Sequence, residues 1–426
     1  MISTDLSNVW RSVSLPELLQ EEQTIFDAHL LLGGGRRRED GWLSFLEEQD
    51  TARPRWLEEI IFSAQGVKEQ SEYLLVVGGG LTQLGLKALT SLSLGTEDGC
   101  RLLFCGEDVS PQPIAHLERT LRDKKFSILV MSATGEDPFT LITLRTLRRL
   151  MEDWAVSDVR ERIYISAPEV SSLGQIALAE GFLLLPYLST SDASESVLNP
   201  AGLFALSAAG YNVKELCRGA ATAMEEYALR SFENPLWLYV GSRLALRDRG
   251  FFEECLCLTD YRAQMLGTWW KALNQKAMGR GEKPISLETA LLPRELSRCG
   301  DGLFATHRFY TMIRLPMDGV SIPVEMDWKD LDGYNSLSGK DFAHVEKEAL
   351  AAIDLNLAQK QIPVISLEWE GRGTVGEMGA LAVFLELSAV LTAVCSGASP
   401  FLHTESDAIY HRLDTVLERN FSNLSN

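Results

Sequence analysis

Apolar and polar positions along this chain fall into short apolar runs separated by longer stretches of helical periodicity. Leu74, Leu75, Val76 and Val77 form one such run. It breaks at Gly78-Gly79-Gly80, and apolar positions resume at Leu84, Leu86, Ala88 and Leu89. That pattern predicts a buried strand, a tight turn and a helix. Phe126–Met131 repeats it, with Ser132-Ala133-Thr134-Gly135 as the turn. The helix that follows, over 139–154, keeps Leu141, Leu144, Leu147 and Met151 on one side. Further apolar runs at Arg101–Cys105, Ile163–Ile165 and Phe182–Leu185 alternate with helical stretches up to about residue 190. Such alternation implies βαβ units and a parallel sheet.

Ahead of this sheet, residues 1–70 place charged and apolar positions at helical spacing, as in Trp56–Phe62, and read as helices leading into it. A second α/β region follows. Helices are expected from Asn199-Pro200 to about Gly210, over Val213–Ser231, Tyr261–Lys276, Phe342–Leu357, Gly376–Val394 and Asp407–Asn420. Strands are expected at Leu236–Val240, Cys255–Leu258, Met312–Leu315 and Pro363–Leu367. The fold class is therefore α/β with two doubly wound, flavodoxin-like parallel-sheet domains. The expected boundaries are a helical N-terminal segment over 1–70, a first domain over 71–195, a second over 196–400 and a C-terminal helix over 401–426.

Composition narrows the partners. A formal charge of −19 disfavours nucleic acid and anionic membrane. The nearly uncharged run Phe384–Cys395 contains Glu386 and is read as too short to span a bilayer. Met1–Trp10 has no cationic segment followed by an apolar one, so no export signal is expected. Seven cysteines are scattered singly apart from Cys255 and Cys257, without disulfide-framework or metal-site spacing. A reducing, cytoplasmic setting with no metal and no cofactor is the expectation.

The two turns carry the candidate chemistry. Glycine lets the backbone approach an anion closely, and a helix start offers unpaired N–H groups. Gly78 and Gly80 in the first turn, and Ser132, Thr134 and Gly135 in the second, are thus candidate phosphate contacts. Each also has a structural reading. The glycines permit a tight strand–helix turn, and the second turn, with Glu136 and Asp137, can be a helix start stabilised by hydroxyls and acids. Trp269 and Trp270 read as core, Cys255 and Cys257 as buried thiols on a strand. His29, His116, His307 and His344, which have no motif context, read as surface or capping residues.

Six segments, in order, resemble the bacterial type of glucose-6-phosphate isomerase, which has two sugar-isomerase (SIS) domains. Gly78-Gly79-Gly80-Leu81-Thr82-Gln83-Leu84-Gly85 is similar to that family's GIGGSYLG turn, and Val130-Met131-Ser132-Ala133-Thr134-Gly135 to its VISKSGT phosphate loop. Ser196–Leu203 resembles SVLSPVGL and Trp269-Trp270-Lys271 resembles WWKQL. Leu337-Ser338-Gly339-Lys340 is similar to LAGKS, and Ser399-Pro400-Phe401 to NPF. The resemblance spans nearly the whole chain and implies two SIS-type domains, a sugar-phosphate ligand and a homodimer. It adds Thr82, which keeps the hydroxyl of the family's serine, to the phosphate contacts, while Leu81 replaces a glycine.

Interconverting an aldose and a ketose phosphate needs a base on the migrating proton and a cation for the enediolate charge. It also needs an acid–base pair for ring opening and a cradle for the phosphate. The resemblance assigns these to a Glu, an Arg, a His with a Lys, and a Ser/Thr-rich loop. Here the glutamate position falls on Lys276, and only a gap of six residues reaches Glu282. The histidine falls on Ser297 and the arginine on Ser194, beside Asp192 and Glu195. The lysine falls on Tyr410, with His411 next to it. Glu136 and Asp137 replace consecutive threonines, and each carboxylate would repel a dianion by about 1 kcal/mol in water. The expectation is a divergent family member with lost or reduced isomerase activity that acts as a sugar-phosphate binder or assembly partner. A working isomerase using Glu282, Lys276 and His411 is the alternative, and a purely structural dimer subunit is a third reading.

Overall fold

The structure, a computed structural model, describes residues 2–32, 53–92, 98–107, 110–154, 158–188, 195–279, 284–299, 307–315, 321–369 and 371–398, with a few single positions elsewhere. Its contacts group the chain into two compact units. One comprises Met1–His29 and Ala223–Pro400; the other comprises Leu30–Thr222 and the described residues beyond Pro400.

The chain opens with β1 (Ile2–Asp5) and α1 (Leu15–Leu32). The unit of Leu30–Thr222 then builds α2 (Arg53–Gln70), β2 (Tyr73–Gly78), α3 (Gly80–Leu92), β3 (Arg101–Cys105), α4 (Pro111–Leu121) and β4 (Phe126–Met131). After these come α5 (Pro138–Asp153), β5 (Ile163–Ser166), α6 (Ser172–Glu180), the two-residue β6 (Leu183–Leu184) and α7 (Pro200–Ala208), with α8 (Val213–Tyr227) running on across the division. The five strands form a wholly parallel sheet in the order β3-β2-β4-β5-β6. Alternate strand residues point to opposite faces. On one face Leu75, Val77, Ile128 and Val130 pack with Leu117 and Leu121 of α4, Leu144 and Leu147 of α5, and Leu173 of α6. On the other face lies α7, where the Phe204 ring meets Tyr164 at 4.7 Å. Helices on both faces explain why these strands are mostly apolar rather than alternating.

The other unit contains α9 (Pro235–Asp248), β7 (Glu253–Leu258), α10 (Gln264–Met278), β8 (Ser286–Leu291), α11 (Arg294–Cys299), β9 (Arg308–Arg314), α12 (Phe342–Gln359), β10 (Val364–Trp369) and α13 (Val375–Cys395). Its sheet has the order β1-β10-β9-β7-β8, parallel except that β1 runs antiparallel to β10, with Ile2 opposite Trp369. Cys255, Cys257, Tyr310 and Met312 face Leu350, Ile353 and Leu357 of α12.

Four expectations are corrected. Leu236–Val240 is helix, not strand. The Asn234 side chain accepts from the Leu236 amide at 3.0 Å, Pro235 stands in the first turn, and α9 is buried nearly all round, so no polar stripe marks its period. The N-terminal segment is not simply a helical lead, because β1 extends the second sheet. The helix opening at Pro200, expected to start the second domain, packs on β2 and β4 of the first sheet, and the contact division falls at 222/223. The last apolar stretch is longer than Phe384–Cys395: α13 is long and apolar enough to cross a membrane, yet its apolar window is 89% buried inside the protein as a core helix. The expected helix over 407–420 lies largely outside the described residues.

Candidate functional site

The first turn joins β2 to α3 through Gly78, Gly79 and Gly80, with φ of 70°, 100° and 48°. Only glycine adopts three such values in a row without steric cost. Close packing adds to the requirement: a Cβ on Gly78 would lie 2.3 Å from Thr140 Oγ1 and 2.7 Å from the Met131 carbonyl. Gln83, fully buried, holds the turn from beneath, its Nε2 donating to the carbonyls of Gly78 (2.9 Å) and Cys105 (3.0 Å). Thr82 is 1% exposed. Its Oγ1 donates to the Ser196 carbonyl at 3.2 Å and accepts from Asn199 Nδ2 at 3.0 Å. That hydroxyl ties α3 to the start of α7. Gly80 is exposed, and α3 has no acidic residue in its own first turn.

The second turn is arranged differently. Ser132 is buried, and its Oγ accepts from the Gly135 amide at 2.9 Å. Thr134 is exposed, and its Oγ1 accepts from the Glu136 amide at 3.2 Å. Gly135, at φ 71°, sits against Ser171, whose Oγ would lie 1.9 Å from an added Cβ. Asp137 caps α5, accepting from the Phe139 amide at 3.1 Å and from the Thr140 hydroxyl. Glu136 reaches across to α6, where Oε1 accepts from the Ser172 amide at 2.6 Å and Oε2 from Ser172 Oγ at 2.7 Å. Two helix starts that could hold an anion are thus each held by a carboxylate of the chain itself.

Of the replacement groups, Lys276 lies in the last turn of α10. Glu282, His411, Ser194 and Tyr410 fall outside the described residues, and Ser297 is described only as part of α11. Trp269 and Trp270 are fully buried. His29, expected at the surface, is half-buried against the Trp237 ring at 6.3 Å, and burial lowers its pKa. Among the described residues no group of three or more His, Cys, Asp or Glu is placed to hold a metal ion.

Sequence reasoning missed the most elaborate polar cluster. Arg243 of α9 and Glu254 of β7 are both fully buried, with Nε and Oε2 2.8 Å apart in an ion pair that lies off the N–H axis. The guanidinium also donates to Thr392 of α13 and Asn274 of α10, each at 2.8 Å. Glu254 Oε1 accepts from Tyr239 (2.7 Å) and Thr311 (2.6 Å). Burial, more than the nearby charges, holds the Tyr239 phenol well above its ordinary pKa. The cluster lies beneath the sheet among Tyr239, Trp270 and Phe384, whose rings lie 5.5 to 6.4 Å apart. It joins three helices to two strands. The available signal was Arg243, a charge within an otherwise apolar run, and Glu254, which with Glu253 opens the apolar run of β7.

No protein-family model matches the chain. Among curated proteins it is 26% identical to glucose-6-phosphate isomerase of Mesoplasma florum over 409 residues, which cover 94% of this chain and 95% of that one. It is 28% identical to that of Bacillus cytotoxicus over 354 residues, 79% and 78% of the two chains. The chain is a divergent relative of glucose-6-phosphate isomerase. Solved structures agree on the fold. A hypothetical protein of Thermus thermophilus matches with a TM-score of 0.83 at 20% identity, covering all of both chains. The glucose-6-phosphate isomerase of Chlamydia trachomatis matches with a TM-score of 0.79 at 14% identity, over 94% of this chain and 84% of that one.

Proposed function

We propose that this chain keeps the fold of a glucose-6-phosphate isomerase but has lost most or all of the catalysis, and acts as a sugar-phosphate binder or assembly partner. The observation that carries the reading is the second turn. Asp137 caps the start of α5 directly after the turn, and Glu136 engages Ser172 at the start of α6 beside it. A dianion entering would have to displace two carboxylates and then sit beside them. The substituted positions Lys276, Ser297, Ser194 and Tyr410 support the same conclusion, since they remove the base, acid and cations that isomerisation requires. The first turn, with its exposed Gly80 and no acidic residue opening α3, is the place where a sugar phosphate would be held.

The chain works as a homodimer in a reducing cytoplasm. All seven cysteines are free thiols, which supports the compartment. A coupled assay of purified protein with fructose-6-phosphate tests the catalytic half of the proposal: turnover that co-purifies with the chain through successive columns would refute it. Thermal unfolding with and without the same sugar phosphate tests the binding half. A binder is stabilised by its ligand, and a flat response would leave a purely structural subunit.

A further inference from the structure

Three sulfur atoms share one face of the second sheet. Alternate residues of a strand point the same way, so Cys255 and Cys257 of β7 stand side by side. Met312 of β9 is the register partner of Cys257 on the neighbouring parallel strand. All three belong to the core beneath α12, where Cys255 is 2% exposed, Cys257 1% and Met312 fully buried. The two thiols are hydrogen-bonded to each other. Leucine would serve packing alone, as Leu256 and Leu258 do on the other face of β7.

Charged groups stand around the sulfurs. The Arg308 guanidinium acts electrostatically on both thiols, and the Asp354 carboxylate of α12 acts on Cys257. Asp354 Oδ2 accepts from Arg314 at 2.6 Å, while Oδ1 is buried without a hydrogen-bond partner. An unpaired buried carboxylate oxygen is costly, and a cation close by would offset part of that cost. Two cysteines fall short of a three-ligand group of His, Cys, Asp or Glu among the described residues, and the thioether supplies the third donor.

We propose that Cys255, Cys257 and Met312 form a binding site for a soft monovalent cation, of which copper(I) is the biological example. Thiolate and thioether donors suit such an ion. Magnesium and calcium take oxygen ligands, and a closed zinc site takes four ligands. On binding, each thiol releases one proton and forms a metal–sulfur bond, with no change in oxidation state. The ion takes the place of the hydrogen bond between the two thiols, and enclosure beneath α12 keeps water from it. The site belongs to the second sheet and does not depend on the sugar-phosphate reading.

Anaerobic titration of the full chain with copper(I), buffered by bicinchoninate, tests the assignment. The wild type should take up one equivalent and melt at a higher temperature when loaded, because a ligand of the folded state stabilises it. X-ray absorption of the loaded protein should show a shell of sulfur neighbours. Met312→Leu, nearly equal in volume, should keep the fold and weaken binding by about tenfold or more, as loss of a supporting group at a metal does. Cys255→Val with Cys257→Val should abolish uptake, and Cys299→Ser, at an exposed thiol, should leave it unchanged. Loading that lowers the melting temperature overturns the site, because the metal is then held by thiols of the unfolded chain. No uptake by the wild type, or uptake unaltered in either the Met312→Leu or the double valine variant, overturns it equally.

Discussion

Replacing Glu136 isolates the feature on which the functional reading turns. Glu136→Ala removes both acceptors used by Ser172, the contacts of 2.6 Å and 2.7 Å at the start of α6. Hydrogen bonds to a charged group contribute about 1.5–3 kcal/mol each when buried, and a carboxylate at a helix start adds about 0.3–1 kcal/mol. Ser172 is buried but Glu136 is only half-buried, so solvent screening reduces the total and the expected loss is about 2 kcal/mol. For a unit of this size that corresponds to a melting temperature lower by roughly 4–8 °C. Glu136→Gln keeps an acceptor and loses only the charge, so it should cost about half as much. The vacated donors then become available to inorganic phosphate, which at ten times its dissociation constant would restore about 1.4 kcal/mol. Calorimetric melting of wild type and both variants in phosphate and in chloride, at matched ionic strength, gives the answer. The reasoning fails if phosphate stabilises the wild type as much as Glu136→Ala, or if Glu136→Ala melts with the wild type.

Arg243→Met should cost about 3–5 kcal/mol in urea unfolding, because it strands Glu254 as an unpaired buried charge. The double change Arg243→Met with Glu254→Leu should cost clearly less than the sum of the two single changes. Gly78→Ala puts a Cβ 2.3 Å from Thr140 Oγ1 at a φ of 70°, and should cost at least about 2 kcal/mol, against about 1 kcal/mol for Gly80→Ala, where nothing lies within 4 Å. Burial lowers the pKa of His29, so the unfolded chain takes up the proton first as pH falls. Its contribution is complete above the unfolded value of about 6.5 and is lost as pH drops from there towards the folded value. The urea midpoint should fall across that window in the wild type and flatten in His29→Leu.

Much of the fold could be read from the chain because its strands are buried on both faces. Leu74–Val77 is apolar without interruption and Phe126–Met131 is broken only by Ser127, and each run is followed by a glycine or a hydroxyl where the turn begins. The same rule misleads at Leu236–Val240, where a helix enclosed on all sides presents an apolar run with no stripe, and only Asn234-Pro235 marks the start. β1 was hidden because its pairing partner, β10, is more than 350 residues away in sequence. Ser132, Thr134, Glu136 and Asp137 were legible as a turn, but the reach of Glu136 to Ser172 was not. That contact depends on where α6 begins, and no local pattern encodes it. The Arg243–Glu254 pair was illegible for a similar reason, since burial of both charges depends on how three helices cover one face of the sheet.

The placement of β1 constrains how the molecule is made. The unit built around the second sheet takes its edge strand from the opening residues of the chain and its remaining strands from the second half. The unit of Leu30–Thr222 is nearly continuous and has all of its strands once Leu184 has left the ribosome. The opening residues must wait unpaired for β10, a loop closure of long range and therefore slow. During synthesis the interior of the chain is thus finished before its beginning finds a place.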